Sequence, residues 1–381
     1  MKFTITFAQQ QFLELLRAGL WGTPANPAVF KQEATDWKQI YRIAKEQTVQ
    51  GIVADGIETL PKENWPPKEI MFKFMMVKVK TSQMHTLLNT TLCQVVNALN
   101  AEGIPSVLLK GQGVAQNYRN PESRMCGDID LYVGEENYRR ASETIAKLDP
   151  SGNAIGLETS MHQHVTINGV EIEVHHTADH LSVRRHRKAL QQWVSSCMDL
   201  TTSPISTNRW NGLGTEITLP PHTYNAFFIL HHAVRHLASD GIGLRQICDW
   251  VRYLYTYGQE INTAELKKQL KVFNMAQIWD EFSHLATNVL GLPTDRLPFT
   301  PQRPLSEKTD LLLKQIFNTG NFGRYAEEKI DFKEKNVIKR KWRNFGVQSS
   351  RLFILYKISP SFTFPHSWGW FCEALGRLFS K

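Results

Sequence analysis

The sequence predicts an α+β protein in which a small mixed sheet lies between helical N-terminal and C-terminal parts. Three observations carry this. Over the first hundred residues apolar side chains recur every three or four positions, which is the helical period. Between residues 101 and 176 the pattern changes to short β-branched runs and strict alternation, the signature of strands. From about His222 the helical period returns.

The N-terminal helices are carried by "AQQQFLELLRAGLW", "DWKQIYRIAKEQTVQGIVADGIETL" and "FKFMMVKVKTSQMHTLLNTTLCQVVNALNAEG", with "PKENWPP" as a proline break between the last two. A short apolar strand, "IPSVLLKGQG", closes on two glycines and leads through a short helix and a proline into "RMCGDIDLYV". Next comes "HQHVTINGVEIEVHH", whose central Asn168-Gly169 is the strongest short hairpin signal a sequence offers. Turning on those two residues pairs Ile167 with Val170, Thr166 with Glu171, Val165 with Ile172, His164 with Glu173 and His162 with His175. That register puts Val165, Ile167, Val170, Ile172 and Val174 on a core face, and His162, His164, Glu171, Glu173 and His175 on a polar one. The parts expected are 1–100 helical, 101–205 the sheet-bearing core, 206–330 helical, and 331–381 a basic aromatic tail.

Composition narrows the function classes. At 381 residues, with 42% hydrophobic and 21% charged positions, the chain can bury a substantial core. Its start is amphipathic, and no run reaches the roughly 18 apolar residues of a membrane span, so a cytoplasmic protein is expected. Five scattered cysteines without a C-x-x-C pair indicate neither a disulfide framework nor a zinc cluster. Of the net charge of +8, residues 331–381 hold +7, from ten Lys and Arg against three acids.

The strand "RMCGDIDLYV" raises the chemical question. Residues two apart on a strand share a face, so Asp128 and Asp130 look at one another. At an effective dielectric of 20, two like charges about 6 Å apart repel by roughly 3 kcal/mol. Converging carboxylates suit Mg²⁺, whereas a solvated edge strand would need no compensation. A third carboxylate on the same side of a neighbouring strand would complete a two-metal site for phosphoryl-type transfer. Glu173 is the better candidate and Glu171 the reserve.

The ordered set "LLKG" at 108–111, "SRMCGDIDLYV" at 123–133 and "VEIEVHH" at 170–176 resembles the nucleotidyltransferase superfamily. Within it, the set resembles the broad bacterial family patterned L-K-G, R-x-x-G-D-I-D-L and E-x-H. "LHHAVRH" at 230–236 and "GLRQICDW" at 243–250 look like that family as well. The resemblance implies a nucleotidyltransferase-type mixed sheet and transfer of a nucleoside monophosphate from an NTP to a hydroxyl, with a sugar or polysaccharide precursor as the first-choice acceptor. It implies that Asp128, Asp130 and Glu173 are catalytic and bind metal, holding two Mg²⁺ ions. It further implies that Gly111 and Gly113 form a turn that lets backbone N–H groups approach the nucleotide phosphates, with Lys110 and Arg124 beside them. Arg124 has a second reading, an ion pair that fixes the strand. Lys110-Gly111 stands where the wider superfamily has Gly-Ser or Gly-Gly, and the third acid is Glu rather than Asp. A nucleotide-binding regulatory or scaffold protein is the alternative class.

His162, His164 and His175 are expected to support the carboxylates or orient the acceptor rather than ligate Zn²⁺. His232 and His236 share a helix face but lack the Glu of H-E-x-x-H, and a polar network with Arg235, Arg245 and Asp249 is expected there. The tail holds eleven of the forty aromatic residues. Trp368, Phe371, Cys372, Leu375 and Phe379 fall at helical spacing. Basic residues beside Trp and Phe suit peripheral contact with the inner face of a membrane, and less well nucleic acid. The competing reading is a tail that docks its aromatics on the protein's own body.

Overall fold

The computed structural model describes residues 5–30, 35–152, 154–201, 205–206, 208–326 and 337–379; the side chains of 337–342 and 373–379 lie outside the description. The N-terminal helices are α1 (Phe7–Trp21), α2 (Trp37–Glu46), α3 (Gln50–Glu58) and α4 (Lys68–Ala101). Helix α1 starts in a capping box, in which Thr6 and Gln9 each accept from the other's backbone N–H, and it stops at Gly22 in the left-handed region. Helices α1 and α3 touch backbone to backbone. A Cβ on Gly19 would lie 1.9 Å from the Ile52 carbonyl oxygen, and one on Gly56 would lie 2.0 Å from that of Leu15. Gly56→Ala is therefore expected to destabilise the fold by about 1–3 kcal/mol, read as a lower urea midpoint; an unchanged midpoint would show that the two helices can separate at no cost.

Helix α4 buries Leu88, Leu92, Val95, Val96 and Leu99 beneath the sheet but leaves Phe72, Met75, Met76, Val79 and Met84 exposed. Its apolar residues run almost all round the cylinder, and one face alone reaches a neighbour.

The sheet order is β1-β2-β5-β4-β3. Its strands are β1 (Val107–Leu108), β2 (Ile129–Tyr132), β3 (Ile155–Glu158), β4 (His162–Ile167) and β5 (Val170–His175), with α5 (Gln112–Ala115) and α6 (Gly134–Ala146) in the connections. Strands β2 and β5 are parallel, and the other neighbours are antiparallel. The β4–β5 register is the one the Asn168-Gly169 turn dictates, from Ile167 opposite Val170 to His162 opposite His175. Both turn residues have positive φ, 54° and 75°, as a type I′ turn requires. Ile129, Leu131, Val165, Ile167, Ile172 and Val174 form a sealed layer with α4 and with Ala141 and Ile145 of α6. The opposite face of β2 and β5 is polar.

After the sheet come α7 (Arg184–Cys197), the small ribbon of β6 (Arg209–Trp210) and β7 (Ile217–Thr218), then α8 (His222–Ala238), α9 (Leu244–Tyr257), α10 (Thr263–Val272), α11 (Ala276–Asn288) and α12 (Glu307–Thr319). Their core, with Phe227, Trp250, Trp279 and Phe282 fully buried, is continuous with that of α1–α3. Strand β3 and the ribbon are short additions that the sequence pattern does not announce.

The chain ends in α13 (Val337–Ile358) and α14 (Pro360–Phe379). Val347, Leu355, Ile358 and Phe362 dock on the body, while Phe353, Phe364 and Trp368 are exposed. Leu375 and Phe379 belong to the undescribed side chains. Among the described residues, no helix is long and apolar enough to cross a membrane, and all five cysteines are free.

Candidate active site

Parallel pairing brings the acids together. Asp130 on β2 stands directly opposite Glu173 on β5, and opposed residues share a face of the sheet. Asp128 sits just ahead of β2 rather than within it, because the segment 124–128 remains extended loop. One oxygen from each of Asp128, Asp130 and Glu173 lies within 4.8 Å of the others. Glu171, two residues back on β5, instead pairs with His164 and is exposed.

Protein groups already offset part of the charge. Lys110 Nζ lies 3.1 Å from Asp130 Oδ1, and His175 Nε2 lies 3.2 Å from both Asp130 Oδ1 and Glu173 Oε2. Burial pushes the Glu173 carboxyl up, but the His175 hydrogen bond and the Lys110 charge outweigh it and bring the pKa to about 2. The same contacts raise His175 against its burial, and Asp130, Asp128 and Glu173 raise Lys110 against its own. Three carboxylates thus face Lys110 and the His175 ring.

The residues fit a divalent cation. Asp130 is fully buried, and its second oxygen, Oδ2, has no partner, which is costly unless something positive arrives there. The three-oxygen set is hard-donor chemistry, and its 4.8 Å span is close to the roughly 4.2 Å that separates opposite ligands of an octahedral Mg²⁺. His162, Glu173 and His175 form a second set within the same limit, better suited to a softer ion. Burial holds His162 down at about 4, so its ring is neutral at pH 7. Its Nε2 lies 3.0 Å from His164 Nε2 and 3.6 Å from Glu173 Oε1.

A cavity of about 330 Å³ opens over Asp128 and Glu173, and the elements facing it are α8 and α9. Lys110, Gly111, Arg124 and His162 line its sheet side, while His232, Arg235, His236, Arg245 and Asp249 line the helical side. Gly111 has φ +61°, and a Cβ there would press to 3.2 Å from the Asp128 carbonyl oxygen. Gly113 is placed differently: it is buried, its N–H bonds the Lys110 carbonyl, and it leaves room for Leu219 and Leu108. The helix after the glycine turn, α5, is a single turn.

The network expected around Asp249 has different members. Asp249 accepts from Arg124 Nε and Nη2 at 2.7 and 2.8 Å and from the Tyr118 hydroxyl at 2.7 Å. Arg245 bonds the Met125 carbonyl at 3.1 Å, and Arg235 reaches His232 Nδ1 at 3.2 Å and Asp179 at 3.9 Å. Asp179 is itself taken by a close buried contact with His231. His236 pairs through Nδ1 with Asp240 at 3.3 Å, and its ring packs against Phe322 at 4.9 Å. Sequence reasoning missed Tyr118, Asp179 and Phe322. Asp179 and His231 are 52 residues apart in the chain, so no local spacing could have paired them.

Over residues 33–291 the chain matches the family described as an uncharacterised nucleotidyltransferase. No curated protein and no solved structure matches it.

Proposed function

Since the chain belongs to that nucleotidyltransferase family, we propose that it transfers a nucleoside monophosphate from an NTP to a hydroxyl acceptor, a sugar or polysaccharide precursor being the preferred class. The observation that carries this is the buried Asp130 with an unpartnered oxygen, set beside Asp128 and Glu173 under a cation-lined cavity. The acceptor hydroxyl oxygen attacks the α-phosphorus and releases its proton to solvent, while the bond to the bridging oxygen breaks and pyrophosphate leaves with that electron pair. Asp128, Asp130 and Glu173 would hold Mg²⁺, which when bound supplies charge neutralisation and a lowered hydroxyl pKa. Lys110 orients Asp130 and adds positive charge beside the phosphates. Gly111 leaves the backbone open to the cavity, and His175 holds Asp130 and Glu173 in one orientation.

The test is calorimetric titration of each Mg²⁺–NTP, as the α,β-methylene analogue, into wild type and Asp128→Asn/Asp130→Asn. Wild-type binding that needs Mg²⁺ and disappears in the double variant is expected. Absence of binding by a folded wild type would replace the transferase with a scaffold role.

We also propose peripheral contact with an anionic membrane surface. Phe364 and Trp368 are 72% and 65% exposed. They border a groove of about 760 Å³ shared with Arg184, Arg185 and Arg187 at the start of α7. Exposed aromatics beside a basic cluster match an anionic lipid interface. Phosphatidylserine vesicles should sediment the wild type but not Phe364→Ser/Trp368→Ser, and neutral vesicles should sediment neither. Equal sedimentation of both proteins, or capture by single-stranded nucleic acid instead, would remove the membrane assignment.

A further inference from the structure

Two guanidinium groups from separate segments face the same cavity: Arg124, in the loop ahead of β2, and Arg245, in the first turn of α9. Between them they have one ion-paired carboxylate. Asp249 is bonded by Arg124 Nε and Nη2, whereas Arg245 forms no salt bridge among the described residues and donates Nη1 to a backbone carbonyl. Each guanidinium keeps one buried nitrogen without a partner, Arg124 Nη1 and Arg245 Nε. Burial and the charge of Arg124 push the Arg245 pKa down and outweigh the opposing pull of Asp249 and Asp128, carboxylates that are near Arg245 without forming a salt bridge to it. The other cations of the cavity are differently placed, since Lys110 contacts Asp130 and Arg235 contacts His232 and Asp179.

A buried N–H of a charged group is costly to leave unbonded. Two such donors, on residues that line opposite sides of one cavity, call for a ligand with several acceptor oxygens and negative charge. A phosphate offers both, and arginine's planar fork suits it better than lysine's point charge. We infer that Arg124 and Arg245 form a cradle for a phosphate group. Resting on the transferase reading above, that phosphate belongs to the polyphosphate tail of the NTP and leaves as part of pyrophosphate. Arg124 thereby has two tasks: two of its nitrogens fix the loop to α9 through Asp249, and its third meets the ligand.

The experiment uses inorganic pyrophosphate as probe, titrated calorimetrically into the full-length protein in EDTA, so that the carboxylate site does not contribute. Wild type should bind it, Arg245→Gln should weaken binding at least tenfold, and Arg245→Lys, which keeps charge but not the fork, should fall between. Thermal melts of the variants establish that they are folded. Adding the Mg²⁺–NTP analogue in a second titration separates the sources: displacement assigns the phosphate to the nucleotide, simultaneous binding assigns it to the acceptor, and both support the cradle. Pyrophosphate binding that is absent in folded wild type, or equal in wild type and Arg245→Gln, overturns it. The two readings fail separately. Pyrophosphate binding that depends on Arg245 in a protein that binds no NTP removes the transferase and keeps the cradle; Mg²⁺-dependent NTP binding with no effect of Arg245 does the reverse.

Discussion

Asp130→Asn is expected to lower the rate of pyrophosphate release from Mg²⁺–NTP by about a thousandfold, equivalent to about 4 kcal/mol of transition-state stabilisation. The substitution changes one oxygen to nitrogen at constant size, at a side chain that is fully buried, so little packing is lost. It removes the charge that Lys110 and His175 both contact and degrades the oxygen set shared with Asp128 and Glu173. A bound divalent ion stabilises developing charge by several kcal/mol, and the sets that remain without Asp130 bring imidazole nitrogens, a poorer match for a hard ion than three carboxylates. Glu171→Gln, on the same strand but paired with His164, serves as the comparison and should stay within a few-fold of wild type. A wild-type rate in Asp130→Asn would exclude these carboxylates from the chemistry.

Asp249→Ala is expected to destabilise the protein by about 3–5 kcal/mol, the usual cost of removing one partner of a buried ion pair. Arg124 would be left buried with its charge uncompensated, beside Arg245 and without its bonds to α9. Tyr118 would lose its acceptor in the same step. Desolvation, then the neighbouring Asp249 charge, hold the Tyr118 hydroxyl well above its ordinary pKa, so it is a neutral donor that the carboxylate alone satisfies. Urea denaturation measures the loss. A midpoint within error of wild type would mean that water replaces the carboxylate and that the loop before β2 is not pinned through this pair.

What the sequence made legible was local. Asn168-Gly169 and the alternation around it specify the β4–β5 register residue by residue, because a two-residue turn leaves one pairing that buries Val165, Ile172 and Val174 together. The neighbourhood of Asp130 and Glu173 was legible only as an expectation, since their parallel pairing joins strands separated by α6 and the β3–β4 segment. Nothing in the spacing of Arg124 and Asp249, or of Asp179 and His231, foretells their contacts, which arise where helices cover the open face of the sheet. Apolar periodicity in α4 likewise overstates burial: Phe72 and Met76 satisfy the helical pattern yet face outward. Helical spacing in α14 identified the helix but not its orientation, for Trp368 and Phe371 are exposed while Phe362 is inserted.

The parallel β2–β5 pair also has a consequence for how the protein can lose its site. The β4–β5 hairpin is closed by its own turn and holds Glu173, His162 and His175 whether or not β2 is present. Asp130, by contrast, is held against Glu173 through a four-residue strand whose other neighbour, β1, is only two residues long. Strand β2 is thus the narrow link between two halves of a donor set. Opening events that detach it would erase the constellation while the helices stay intact, and amide hydrogens of Ile129–Tyr132 would exchange by that route ahead of the hairpin's. A cation bound across Asp128, Asp130 and Glu173 would act as a clasp on that link, so its grip would be felt as slower exchange in β2 before it was felt in global stability.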